Sequence, residues 1–132
     1  MTDPAATGPI PLRVLVVDPD DRIRESITRL LPIGGRCAVV GSAAGALEAV
    51  ALSATLQPEV AVIDSRLDDV CSLGLIPTLR SAVPGIRILV LNWDVAVESD
   101  TCLSGADAYI RKTFRPHELI DAVISAARVP AA

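Results

Sequence analysis

Val60-Ala61-Val62-Ile63-Asp64-Ser65-Arg66-Leu67-Asp68-Asp69 is a short apolar run that ends abruptly in a carboxylate and gives way to a polar loop. Residues 60–63 are apolar and largely β-branched, with no polar alternation. That is the pattern of a strand covered on both faces of a parallel sheet. Open α/β sheets bind ligands beyond the carboxyl ends of their strands, which makes Asp64 a candidate site residue. An aspartate after a strand also serves simply to cap a helix or close a turn. What the other strands bring to the same edge decides between the two.

On the amino side, Leu12–Val17 is a second strand of buried type, ending at Asp18-Pro19-Asp20-Asp21. A helix follows with Ile23, Ile27, Leu30 and Leu31 on one face, and Asp20 or Asp21 is its natural N-cap. Pro32 and Gly34-Gly35 stop it. Cys37–Val40 forms a short strand, and Gly45–Leu56 an Ala-rich helix closed by Gln57-Pro58. On the carboxyl side, Leu73–Val83 is a helix ended by Pro84-Gly85, and Ile86–Leu91 a strand delivering Asn92-Trp93-Asp94. A weaker helix spans about Val95 to Leu103. Ala108–Arg111 is the last strand, delivering Lys112-Thr113, and Pro116–Arg128 the last helix, with Pro116 suited to its first turn. Five strands alternating with five helices predict a doubly wound α/β sandwich around a five-stranded parallel sheet.

The chain has 132 residues, one domain's worth, with 51% hydrophobic residues and only 2% aromatic, so Val, Leu, Ile and Ala must build the core. Residues 1–11 hold three prolines with Thr, Gly and Ala and read as a disordered leader. Residues 12–129 make the domain, and 130–132 a short tail. A net charge of −4 with one lysine argues against a nucleic-acid surface. Cys37, Cys71 and Cys102 show no metal or disulfide spacing and read as small apolar residues in a reducing cytoplasm. No signal peptide and no span of membrane length is visible, so no membrane contact is expected.

Each strand end adds something to one edge: Asp18 to Asp21, Asp64, Asn92 and Lys112. Clustered carboxylates suit a hard cation such as magnesium. A carboxylate can attack phosphorus to give an acyl phosphate, lysine offers a point charge to the phosphoryl oxygens, and an Asn amide can donate to them. Together they point to phosphoryl acceptance at Asp64.

At these residues the chain resembles the receiver domain of two-component response regulators, from about Leu12 to Arg128. The resemblance rests on "VLVVD" with the acidic loop after it, "PEVAVIDSRL", "GIRILVLN" and "GADAYIRK", and Arg24 also matches a common position. It implies the flavodoxin-like strand order 2-1-3-4-5. It aligns Asp64 with the phosphoacceptor, Lys112 with the family lysine, Asp18 with the first of the acidic pair, and Tyr109 with the aromatic switch position. A magnesium site of Asp18, Asp20, Asp64 and the Arg66 backbone carbonyl is implied, with Asn92, Lys112 and Tyr109 as phosphate-contacting or switch residues. The chain departs from the family in two places that matter. Pro19 replaces the second acidic residue, which weakens magnesium unless Asp20 swings in, and Asn92 stands where Thr or Ser is usual.

The resemblance implies a cytoplasmic, non-enzymatic, stand-alone receiver in a phosphorelay. Its donor would be a histidine kinase or phosphotransfer protein and its output a downstream partner protein. The last strand and helices, with Arg111, Arg115 and Arg128, offer a homodimer or docking face, beside the plainer reading of scattered solvated charge. Two alternatives stand beside this: a degenerate, phosphorylation-independent interaction module, and a haloacid-dehalogenase-like phosphatase using Asp18-Pro19-Asp20. For the second, Arg22 occupies the place where that motif wants Thr or Val.

Overall fold

A computed structural model of the chain describes residues 10–67, 74–92 and 105–128. Five strands run β1 (Leu12–Val17), β2 (Cys37–Ala43), β3 (Val60–Asp64), β4 (Arg87–Asn92) and β5 (Ala108–Arg111). They pair in parallel in the order β2-β1-β3-β4-β5, the sheet expected from the sequence. Four helices are described: α1 (Asp21–Leu30), α2 (Ala46–Leu56), α3 (Leu75–Ala82) and α4 (Pro116–Ala127). The weak helix expected near 95–103, Trp93, Cys71, Cys102, the loop after Leu67 and most of the leader and tail lie outside the described residues.

Side chains of a strand alternate between faces, and both faces are apolar here. Leu15, Val17, Ala61, Ile63, Ile88 and Val90 pack with residues of α2 and α3. Val14, Val16, Val60, Val62, Leu89 and Leu91 pack with residues of α1 and α4. β3 is buried at all five positions, Asp64 included. That is why its sequence lacks polar alternation. Cys37 is buried too, and burial pushes its thiol up against the opposing charge of Arg36. No helix among the described residues is long and apolar enough to cross a membrane.

β2 runs three residues beyond the expected Val40. Val14 pairs with Val39 and Leu15 with Gly41, so Val40 is an extra residue opposite β1, and pairing resumes to Ala43. Gly41-Ser42 has poor strand propensity, which pairing to β1 overrides. A Cβ on Gly41 would lie 2.7 Å from the Leu56 side chain, so glycine lets α2 close on the sheet. α2 ends because Gln57 turns left-handed at φ 50, while the Arg13 guanidinium satisfies the Leu56 and Gln57 carbonyls.

At the opposite edge from the strand-end acids, Asp107 ties β4 to β5. Its Oδ2 accepts the Ile88 amide at 2.7 Å and Arg80 Nη2 at 3.3 Å, and Arg80 also donates to the Gly105 and Ile86 carbonyls. Asp107→Ala would strand the Ile88 N–H and release the Arg80 clamp. It is expected to cost about 2 kcal/mol, read from the urea midpoint, with Asp107→Asn recovering part of the loss.

Candidate functional site

The carboxyl edge of the sheet collects the charged residues that the strand ends supply. β1, β3 and β4 are central strands packed on both faces, so the residues that terminate them start from buried backbone. Asp18, Asp64, Asn92 and Lys112 are all buried. Their polar groups therefore need partners inside the protein.

Lys112 provides the first. Its Nζ donates to Asp18 Oδ2 at 2.6 Å and lies 3.4 Å from Asp64 Oδ2, and its side chain is fully shielded from solvent. β5 sets the reach, since the Lys112 amide donates to the Asn92 carbonyl at 2.6 Å just past the β4–β5 pairing. One ammonium thus bridges two carboxylates from different strands. Asp18 is further fixed by the Asp20 amide on its Oδ1 at 2.9 Å, and Arg24 Nη1 braces its carbonyl at 2.8 Å. Arg24, known from the sequence only as a matching position, holds the loop that carries Asp18.

Asp20 is placed otherwise. Its exposed carboxylate accepts the Arg22 and Ile23 amides and caps α1. The Ile23 N–H above all, opposed by some desolvation and helped by the Arg22 N–H and the Arg22 and Lys112 charges, lowers its pKa below the ordinary carboxyl value. The capped form is the ionised one. The cap's contribution is therefore complete above the ordinary carboxyl value and lost as pH falls through the lowered folded value. Asp20→Ala should lower the melting temperature at neutral pH, and thermal scans across acid pH should show the gap to the parent protein closing.

Asp64 ends in a tight turn. The Arg66 amide donates to its Oδ1 at 3.3 Å, and the Arg66 guanidinium reaches its Oδ2 at 3.4 Å. The sequence suggested only a backbone role for Arg66. A base two residues beyond a strand-end aspartate, where an Asx-type turn folds it back, was the available signal. Asn92 Oδ1 is buried without a hydrogen-bond partner in the structure. An amide oxygen in that condition can accept from a ligand, and rotation of the group would offer its N–H₂ instead. Tyr109 pairs with Val90 in β5 and is half-buried against the α2–α3 side of the core. Its hydroxyl accepts the Ala106 amide at 3.3 Å, at the amino end of its strand.

Magnesium takes oxygen donors and keeps several waters. Asp18 and Asp64 converge on a single cation here, and Asn92 has an unfilled oxygen, so the donors fit a hard cation. They are few: position 19 is proline, Asp20 is engaged as a cap, and no cluster of three or more candidate metal ligands occurs among the described residues. The group can bind an anion between its cations or a cation between its carboxylates.

A family profile described as a response regulator receiver domain matches residues 14–124. The chain is 34% identical over 114 residues to the DNA-binding transcriptional activator DevR/DosR of Mycobacterium tuberculosis, covering 85% of this chain and 52% of that protein. It is 28% identical over 119 residues to the response regulator protein VraR of Staphylococcus aureus, covering 89% and 57%. It thus spans about half the length of these relatives. The receiver domain of a putative response regulator NarL from M. tuberculosis superimposes with a TM-score of 0.78 at 26% identity, over 92% of this chain and all of that one. A CheY-like receiver domain protein from Methanospirillum hungatei gives 0.74 at 27% identity, covering 89% and 94%. None of these comparisons supports the phosphatase alternative. Asp20, the acid/base residue of that alternative, caps α1 through its Oδ1.

Proposed function

The chain belongs to the response regulator receiver family of two-component signalling, and from that premise we propose that it accepts a phosphoryl group on Asp64. The observation that carries this reading is Lys112 Nζ between Asp18 and Asp64, at 2.6 and 3.4 Å. A buried ammonium beside a strand-end carboxylate is a preorganised charge for phosphoryl oxygens, and such fixed charges lower transfer barriers most in water-excluded sites. Residues 12–129 form the receiver. Its donor is the phosphohistidine of a histidine kinase or phosphotransfer protein, or a small acyl phosphate, and it works in the cytoplasm.

Asp64 is the nucleophile, Lys112 neutralises the arriving oxygens, and the Asn92 amide turns a donor toward them. Magnesium would be held by Asp18, Asp64, the Arg66 carbonyl and Asp20, whose Oδ1 also caps α1. When bound it would offset phosphoryl charge. Binding is weak because one carboxylate is missing. The phosphorylated state biases the β4–β5 region, including Tyr109, between two arrangements that a downstream partner protein distinguishes. The second reading, a phosphorylation-independent interaction module, draws support from Pro19 and from the engagement of Asp20 at α1.

The chemistry of the label tests the proposal. Acyl phosphates are cleaved by neutral hydroxylamine, whereas serine phosphate is not. Incubation with a small acyl-phosphate donor should give a hydroxylamine-labile label in the peptide containing Asp64. A stable label on Ser65, or none, would favour the interaction module.

A further inference from the structure

The sheet has two edges, and the chain treats them differently. β5, at one edge, is four residues long and ends in the exposed cation Arg111. Short length and charge are what keep an open strand from pairing with another chain. β2, at the other edge, runs seven residues as Cys37-Ala38-Val39-Val40-Gly41-Ser42-Ala43, with no charge and no proline. It pairs with β1 alone, and among the described residues its outer N–H and C=O groups have no other backbone partner. Val40, the extra residue opposite β1, is half-buried and belongs to neither core cluster.

We propose that β2 is an interaction edge whose partner is β2 of a second copy of this chain, paired antiparallel about a two-fold axis at Val40. Charge at the two ends of the strand argues for that partner and that direction. In such a pair Val40 faces its own equivalent, Cys37 faces Ala43, and Arg36 faces Ala44. A carboxylate already stands at Ala44, whose amide donates to Glu48 Oε1 at 3.2 Å. Arg36 of each copy therefore arrives at Glu48 of the other, twice by symmetry, as an isologous interface requires. Arg36 Nη1 donates to Asp121 at 2.9 Å, and a guanidinium has further N–H groups to offer a second carboxylate. A parallel pair in register would instead set Arg36 against Arg36. The bulge suits the axis, since residues 37–39 of one copy meet residues 41–43 of the other on both sides of it, and the two Val40 side chains cover each other. Because the paired strands run in opposite directions, the two carboxyl edges lie at opposite ends of the continued sheet, so neither cluster of Asp18, Asp64 and Lys112 faces the other.

Sedimentation equilibrium of the full chain over a dilution series tests this. The proteins are the parent, Val40→Lys, Arg36→Glu, Glu48→Arg and the double reversal of Arg36→Glu with Glu48→Arg, with urea midpoints to follow each fold. The parent should be a reversible dimer. Val40→Lys sets two ammonium groups against each other at the axis and should weaken it at least about tenfold. Each single reversal puts a like pair at both ends of the interface and should weaken it at least about fivefold, whereas the double reversal should recover most of that loss. Recovery marks an interface, because the contact of Arg36 with Asp121 within one chain is lost equally in Arg36→Glu and in the double. Should Val40→Lys fail to fold, the reversal set decides by itself. A parent that stays monomeric at every concentration, a dimer unmoved by Val40→Lys, or a double reversal no tighter than the singles would overturn the proposal.

Discussion

Lys112→Met is expected to destabilise the fold by about 3 kcal/mol and to slow phosphoryl transfer to Asp64 by at least about a hundredfold. Methionine approximates the length and bulk of the lysine stem, so the loss is one of charge rather than of packing. Asp18 and Asp64 would be left as neighbouring buried carboxylates with their shared ammonium gone. Removing one side of a buried ion pair costs far more than the pair itself contributes, because the remaining charge stays desolvated. The Asp20 amide on Asp18 and the two Arg66 contacts on Asp64 remain, which holds the figure at the lower end of the usual range. Urea denaturation checks it, and a double variant separates the causes. Lys112→Met with Asp18→Asn should recover much of the stability, since one stranded charge is neutralised. Equal losses in single and double variants would mean that the stem, not the charge, holds the edge together.

The central strands were legible because burial on both faces leaves a signature that local sequence carries: Val14–Val17, Val60–Ile63 and Ile88–Leu91 are unbroken apolar runs. Asp18, Asp64 and Asn92 were legible for the same reason, as each directly follows such a run, whereas Lys112 follows the half-buried edge strand Ala108–Arg111 and was found by its place at a strand end. β2 was read short because its last residues, Gly41-Ser42-Ala43, owe their extended form to pairing with β1 and to the room glycine leaves for α2. Strand order came from family resemblance, since pairing is a long-range property that periodicity does not encode. Asp20 was given two readings, helix cap and metal ligand. Its carboxylate sits at the α1 amides, through Oδ1, because those donors are local. The Arg66 guanidinium was missed because a turn, not a strand, brings it back over Asp64, and turn geometry depends on where the carboxylate points.

The second large effect falls on Asp64 itself. Asp64→Asn keeps the shape of the side chain and removes the nucleophile, since an amide does not attack phosphorus as a carboxylate does. The fold should survive, because the substitution removes a buried charge and Asp18 still pairs with Lys112. Covalent labelling should fall to nothing. The most direct measurement is intact mass after incubation with a small acyl-phosphate donor and magnesium, on parent protein and Asp64→Asn side by side. One phosphoryl group per parent chain and none on the variant is the predicted result. An unmodified parent chain, or equal modification of both proteins, would contradict phosphoryl acceptance at Asp64.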